Sequence, residues 1–184
     1  MRLFVALDLP ASLSDSVADA QALFSDADGL RYTNPAQAHI TLNFLGETPT
    51  DQLRHVTDAV ETAIDESGVE PFDASLGGLG AFPSLDYIRV IWAGVHDGAD
   101  EMTRVHDALD PELAALGFDP DERDFSPHLT LARMNDARSK NYVRDILEEE
   151  APEIGSFRVR EVRIKKSELT SEGPNYETVA RCSL

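Results

Sequence analysis

A chain of 184 residues is long enough for one generous domain or two small lobes over a shared core, and 42% hydrophobic content is that of a globular protein, not a disordered one. No stretch approaches the roughly 18 continuous apolar residues of a membrane span, and a single cysteine, Cys182, excludes an internal disulfide and a cysteine-built zinc site. Acidic residues number 34 against 16 basic ones, a formal charge of −18; such a chain repels itself at low ionic strength, which points to a salty cytoplasm of the salt-in halophile type.

The opening Arg2-Leu3-Phe4-Val5-Ala6-Leu7-Asp8 is too short an apolar run for a signal peptide and has no small-residue cleavage site. It is expected to be a first buried strand in a cytoplasmic protein. Residues 11–24 follow helical spacing, with Leu13, Val17, Ala20 and Leu23 on one face and Ser12 or Ser14 as the cap. Pro35 marks a turn. Residues 38–45 alternate, with Ile40, Leu42 and Phe44 on one side and His39, Thr41 and Asn43 on the other, and Gly46 ends this half-buried strand. A second helix spans 50–67, closed by Gly68.

Residues 72–82 predict a Gly-rich strand bulged at Gly77-Gly78, and 87–96 a strong strand of aromatic and β-branched residues. A third helix covers 99–116, where Pro111 is expected to kink or split it. A polar loop follows to Pro127, then a strand over 128–134 and a short helix over 137–150. Two closing strands, 156–169 and 174–182, meet at a turn around Glu172-Gly173-Pro174. No Gly-rich nucleotide loop follows any strand, so Rossmann and P-loop architectures are weakly supported.

Two segments echo each other: His39-Ile40-Thr41-Leu42 and His128-Leu129-Thr130-Leu131, one in each half of the chain and each on a strand followed by a helix. The repetition suggests an ancient duplication with a pseudo-two-fold axis. Residues i and i+2 of a strand share a face, so each histidine projects with its threonine, opposite apolar residues that face a core. Two such strands side by side present two imidazoles and two hydroxyls. That set suits a phosphate: hydroxyls donate to non-bridging oxygens, and histidines that titrate near neutrality serve as acid and base for in-line displacement. His55, His96 and His106 carry no such partner and are expected to be surface or internally satisfied residues. Zinc wants three or four protein ligands. There is no H-E-x-x-H, and neither motif contains a carboxylate. No G-x-S-x-G marks a serine nucleophile.

Several longer segments resemble the RNA 2′,3′-cyclic phosphodiesterases, also called 2′-5′ RNA ligases, of the 2H phosphoesterase superfamily. They are the opening strand, Ala38-His39-Ile40-Thr41-Leu42-Asn43-Phe44-Leu45-Gly46, Gly77-Gly78-Leu79-Gly80-Ala81-Phe82-Pro83, Val90-Ile91-Trp92-Ala93-Gly94-Val95, Phe125-Ser126-Pro127-His128-Leu129-Thr130-Leu131-Ala132-Arg133 and Ser167-Glu168-Leu169-Thr170 with Gly173 and Tyr176-Glu177. The resemblance covers essentially the whole chain in order. It implies a single domain over 1–184 with an α+β, bilobed pseudo-two-fold fold, two antiparallel sheets lining a central cleft and helices outside. It implies opening of a terminal RNA 2′,3′-cyclic phosphate to a 2′-phosphate, without metal or nucleotide cofactor.

By the same analogy His39 is the general acid to the departing 3′ oxygen and His128 the general base for water, although the symmetry allows the exchange. Thr41 and Thr130 hold phosphate oxygens. Arg133 would join them, but strict alternation puts it on the opposite face, so its role requires a bend. Asn43 stands where relatives often carry a basic residue, which weakens a contact with the RNA backbone, and Tyr32 where a tryptophan is common. Phe4 is either a cleft residue or a buried strand residue. Arg158, Arg160, Arg163, Lys165 and Lys166 concentrate positive charge in one C-terminal strand, as a basic lip for phosphates or as a solvated face.

Three alternatives stay open: 2′-5′ ligation at the same site, a smaller substrate such as ADP-ribose 1″,2″-cyclic phosphate, and a noncatalytic module that binds RNA ends. The expected partners are RNA ends or small cyclic nucleotides, with no membrane, no obligate protein partner and a monomeric chain.

Overall fold

Nine strands and four α-helices organise the chain in a computed structural model that describes all of residues 1–184. In order they are β1 (Arg2–Asp8), α1 (Ser14–Ala22), β2 (Leu30–Tyr32), β3 (His39–Glu47), α2 (Leu53–Ser67), β4 (Phe72–Pro83), β5 (Ile88–Val95), α3 (Ala99–Ala115), β6 (His128–Met134), α4 (Lys140–Glu149), β7 (Glu153–Val159), β8 (Glu161–Thr170) and β9 (Gly173–Ser183). Two antiparallel sheets result, ordered β3-β1-β8-β9 and β2-β6-β5-β4-β7. Helices α2 and α3 pack on the first sheet, α1 and α4 on the second. Helix α1 follows a strand of the first sheet yet covers the second, and α3 does the reverse. This exchange joins both sheets in one buried cluster of 33 apolar residues.

The elements follow from local pattern. The run Leu3 to Leu7 is wholly buried, as a central strand of a covered sheet requires. Helix α2 buries Val56, Ala59, Val60, Ala63 and Ile64 along one stripe and ends at Gly68, whose φ of 64° an L side chain adopts at a cost. Helix α3 stays continuous through Pro111. The proline removes one intrahelical donor, and buried Leu109 and Leu113 on either side hold the turn together. No helix is long and apolar enough to cross a membrane. Cys182 is a buried residue of β9, and burial pushes its thiol up to about 11.

Several expectations fail locally. Neither Ser12 nor Ser14 caps the first helix; a 3-10 turn over Ala11–Leu13 leads into α1 with no side-chain cap. Strand β3 passes through Gly46, which takes φ 71° inside a bulge, and ends at Glu47. The short strand β2, paired to β6, has no counterpart in the pattern analysis. The closing strand expected over 156–169 is two strands. The chain leaves the second sheet after Val159 and enters the first at Glu161.

That break removes the basic lip. Arg158 pairs with Asp73 on the second sheet, while on the first sheet Arg163 and Lys165 both bind Asp8 and Lys166 pairs with Glu168. Lys165 is buried in this network, with its ammonium 2.6 Å from Asp8 Oδ2. Of the five cations, only Arg160 is left outside an ion pair.

Candidate active site

Strand β3 is the edge of the first sheet and β6 lies one strand in from the edge of the second; the two adjoin at the seam between the sheets. Both motifs sit there, and each breaks its alternation in the same way. In the β1–β3 ladder Val5 pairs with Asn43 but Ala6 pairs with Thr41, so Leu42 is an extra residue. In the β5–β6 ladder Ile91 pairs with Ala132 but Trp92 pairs with Thr130, so Leu131 is extra. A bulge turns two successive residues to one side. The burial sequence is identical over His39 to Phe44 and His128 to Arg133: half-buried, buried, half-buried, buried, buried, exposed.

The bulges decide which side chains reach the cleft. Before them alternation holds, so His39 projects with Thr41 and His128 with Thr130 while Ile40, Leu42, Leu129 and Leu131 are buried. After them the faces swap. Phe44, expected in the core, is 66% exposed and its ring lies 6.3 Å from Phe4 on the His39 side. Asn43, expected on that side, is buried and donates from Nδ2 to Asp110 Oδ1 at 2.8 Å. The bulge at Leu131 leaves Ala132 buried and Arg133 exposed, and the Arg133 charge acts on both His39 and His128.

Each imidazole is held alike. His39 Nδ1 is 2.8 Å from the carbonyl oxygen of Gln37, and His128 Nδ1 is 2.7 Å from that of Ser126. A carbonyl only accepts, so Nδ1 carries the hydrogen in both and Nε2 is the free, titrating nitrogen. Aromatic rings fix the planes. Phe4 (5.1 Å) and Tyr176 (5.0 Å) flank His39; Phe82 (4.8 Å, edge-on) and Trp92 (6.3 Å) flank His128. Phe4 is thus both a buried strand residue and a wall of the site. Trp92 lies across Gly80, and its buried indole N–H has no partner within the protein. The hydroxyls of Thr41 and Thr130 donate to no protein group.

Burial is the larger cause that holds both histidines below the ordinary value of 6.5, opposed in each by the carbonyl at Nδ1. Lys165 and Arg133 push His39 further down while Asp8, its cross-strand partner, pushes it up. His128 feels only the guanidiniums of Arg133 and Arg123. The other histidines lie elsewhere. His106 is a buried residue of α3, stacked 4.2 Å from Phe125 with Nδ1 2.9 Å from the Leu42 carbonyl oxygen, so it is internally satisfied. No three of the chain's histidine, cysteine, aspartate and glutamate side chains gather as a metal site.

Pattern analysis missed the walls, Phe82, Trp92 and Tyr176, as neighbours of the imidazoles. A usable signal is Gly80: a Cβ there would stand 2.1 Å from the Trp92 ring, so glycine at that position marks a ring lying on the backbone.

Residues 9–169 match the family model of the 2′-5′ RNA ligase superfamily. The chain is 38% identical over 178 residues to an RNA 2′,3′-cyclic phosphodiesterase of Methanothermobacter thermautotrophicus, with 96% of this chain and 95% of the relative covered. Among solved structures, a Thermus thermophilus protein superposes with a TM-score of 0.81 at 28% identity, over 100% of this chain and 98% of that one. The Escherichia coli LigT complexed with 3′-AMP gives 0.79 at 24% identity, over 100% and 97%, a likeness of fold.

Proposed function

The chain belongs to the 2′-5′ RNA ligase superfamily, and from that premise we propose that it hydrolyses the 2′,3′-cyclic phosphate of RNA ends to a 2′-phosphate, with His39 and His128 as acid and base and no metal in the step. The observation that carries the mechanism is the matched pair of imidazoles at the seam, each with Nδ1 on a carbonyl and Nε2 free. Binding alone has no need of two such titrating groups.

Water attacks phosphorus in line with the 3′ oxygen and gives its proton to His128 Nε2. The P–O3′ bond breaks, and O3′ takes the proton from His39 Nε2–H. The products are a 2′-phosphate and a 3′-hydroxyl, and the two histidines regain their starting protonation by exchange with solvent. Thr41, Thr130 and Arg133 hold the non-bridging oxygens as charge builds on them. The assignment of His39 as acid follows the family resemblance; Asp8 is the one carboxylate whose field reaches either imidazole, and Lys165 outweighs it there.

A substrate with sulfur at the 3′ bridging position tests the roles, because a thiolate leaves without a proton. Activity on it should return in His39→Ala and stay absent in His128→Ala; the reverse would exchange acid and base, and rescue of neither would overturn the acid–base pair. A 5′-hydroxyl in place of water would break the same bond and leave a 2′-5′ link, the reaction in the name of the matched family. Analysis of products at excess RNA ends separates joining from hydrolysis.

A further inference from the structure

One groove of the second sheet holds an arrangement that folding alone disfavours. Arg31 of β2 and Arg133 of β6 are direct cross-strand partners. Such partners project from the same face with Cβ atoms about 5 Å apart, and like charges there repel. Neither guanidinium is in an ion pair or accepts relief from any hydrogen bond. Arg89 and Lys140 line the same cavity of about 460 Å³ and are likewise without a carboxylate; Arg89 donates only to the Tyr87 hydroxyl. The one acid in the lining, Asp136, is held by Arg138 at 2.9 Å. In a chain where acids outnumber bases 34 to 16, four unpaired cations in one groove leave a site for anions. Tyr87, 57% exposed, stands at its rim with the Arg89 guanidinium 5.1 Å over its ring.

Arg133 belongs both to this groove and to the field around the two histidines. A terminal cyclic phosphate closes the 3′ end of its strand, so the rest of the RNA must leave the site in the 5′ direction. We propose that this groove is the track for that upstream strand: Arg31, Arg89 and Lys140 bind the phosphodiesters that precede the cyclic end, and Tyr87 offers a base-stacking face. The protein then favours an oligonucleotide end over a mononucleotide cyclic phosphate, which reaches no further than Arg133. This inference rests on the proposed hydrolysis of RNA ends and adds the path of the substrate.

The test compares wild type with Arg31→Gln, Arg89→Gln and Arg31→Gln/Lys140→Gln. Adenosine 2′,3′-cyclic phosphate and a short oligoribonucleotide with the same end are the substrates. Binding of a labelled oligoribonucleotide carrying the product 2′-phosphate is followed by anisotropy across a salt series. The double variant should lose about tenfold in kcat/KM on the oligonucleotide and nothing on the mononucleotide. The slope of log affinity against log salt should shrink by about 0.7 per charge removed. Arg31→Gln should melt no lower than wild type, since it relieves a repulsion. Equal losses on both substrates, or an unchanged salt slope, would overturn the track. If wild type turns over neither substrate, the hydrolytic proposal fails while the salt slope still decides the groove.

Discussion

Each imidazole of the pair gives its Nδ1 hydrogen to a carbonyl two residues earlier, which leaves Nε2 as the only nitrogen that trades protons. Both groups sit below 6.5, from burial first. The acid loses its proton as pH rises through its lowered value, and the base is blocked as pH falls through its own. Both limbs of the kcat/KM profile, which reports the free enzyme, therefore lie below the ordinary histidine value, and the optimum should fall on the acid side of 6.5. The single tryptophan, 6.3 Å from His128, reports that titration by fluorescence. An optimum above neutrality would contradict the burial argument.

Arg133 lowers both histidines, so Arg133→Ala should cut kcat/KM by about 10- to 100-fold, the loss of a charged phosphate contact, and move both limbs upward. Linkage runs in the same sense: the folded protein binds fewer protons than the unfolded chain as pH falls below 6.5. Stability from these groups is complete above that pH and declines below it. His39→Ala should lose less of its melting temperature on acidification than wild type does.

The paired bulges are what make a site from two strands. Without the extra Leu42 and Leu131, Phe44 and Arg133 would point into the core. The His-x-Thr repeats, the strands that carry them and the two following helices were legible in the chain, because each is a pattern within one segment. The bulges were not. A bulge belongs to the register of two strands far apart in sequence, and alternation along β3 or β6 alone carries no trace of it. The break between β7 and β8 escaped for a related reason: the polar–apolar pattern continues through Arg160, and only the partner strand changes.

Close approach between elements also has a test. Gly80→Ala puts a methyl into the Trp92 ring, so it should cost about 1–3 kcal/mol by overpacking, shift the tryptophan emission and reduce turnover through the loss of the wall behind His128. Unchanged emission and activity would mean the ring does not hold that imidazole.

Over the whole molecule, a charge of −18 coexists with a groove of unpaired cations proposed to bind anions. The two are reconciled by distribution, because many of the other cations are paired with acids, as at Asp8, Glu161 and Asp73, whereas Arg31, Arg89, Arg133 and Lys140 of the groove are not. The screening length falls from about 10 Å at 0.1 M salt to about 3 Å at 1 M. Salt should therefore raise the melting temperature by quenching self-repulsion while it weakens RNA binding. A melting temperature that falls with added salt would contradict the view that surface repulsion limits stability.

We propose that two histidines, one on each strand of the seam, open a cyclic phosphate without metal. The most direct test is turnover of an oligoribonucleotide ending in a 2′,3′-cyclic phosphate, with chelator present, by wild type and by folded His39→Ala and His128→Ala. The account predicts a 2′-phosphate product from wild type and a loss of about 10²- to 10⁴-fold in each variant. Turnover abolished by the chelator, or either variant retaining wild-type rates, would contradict it.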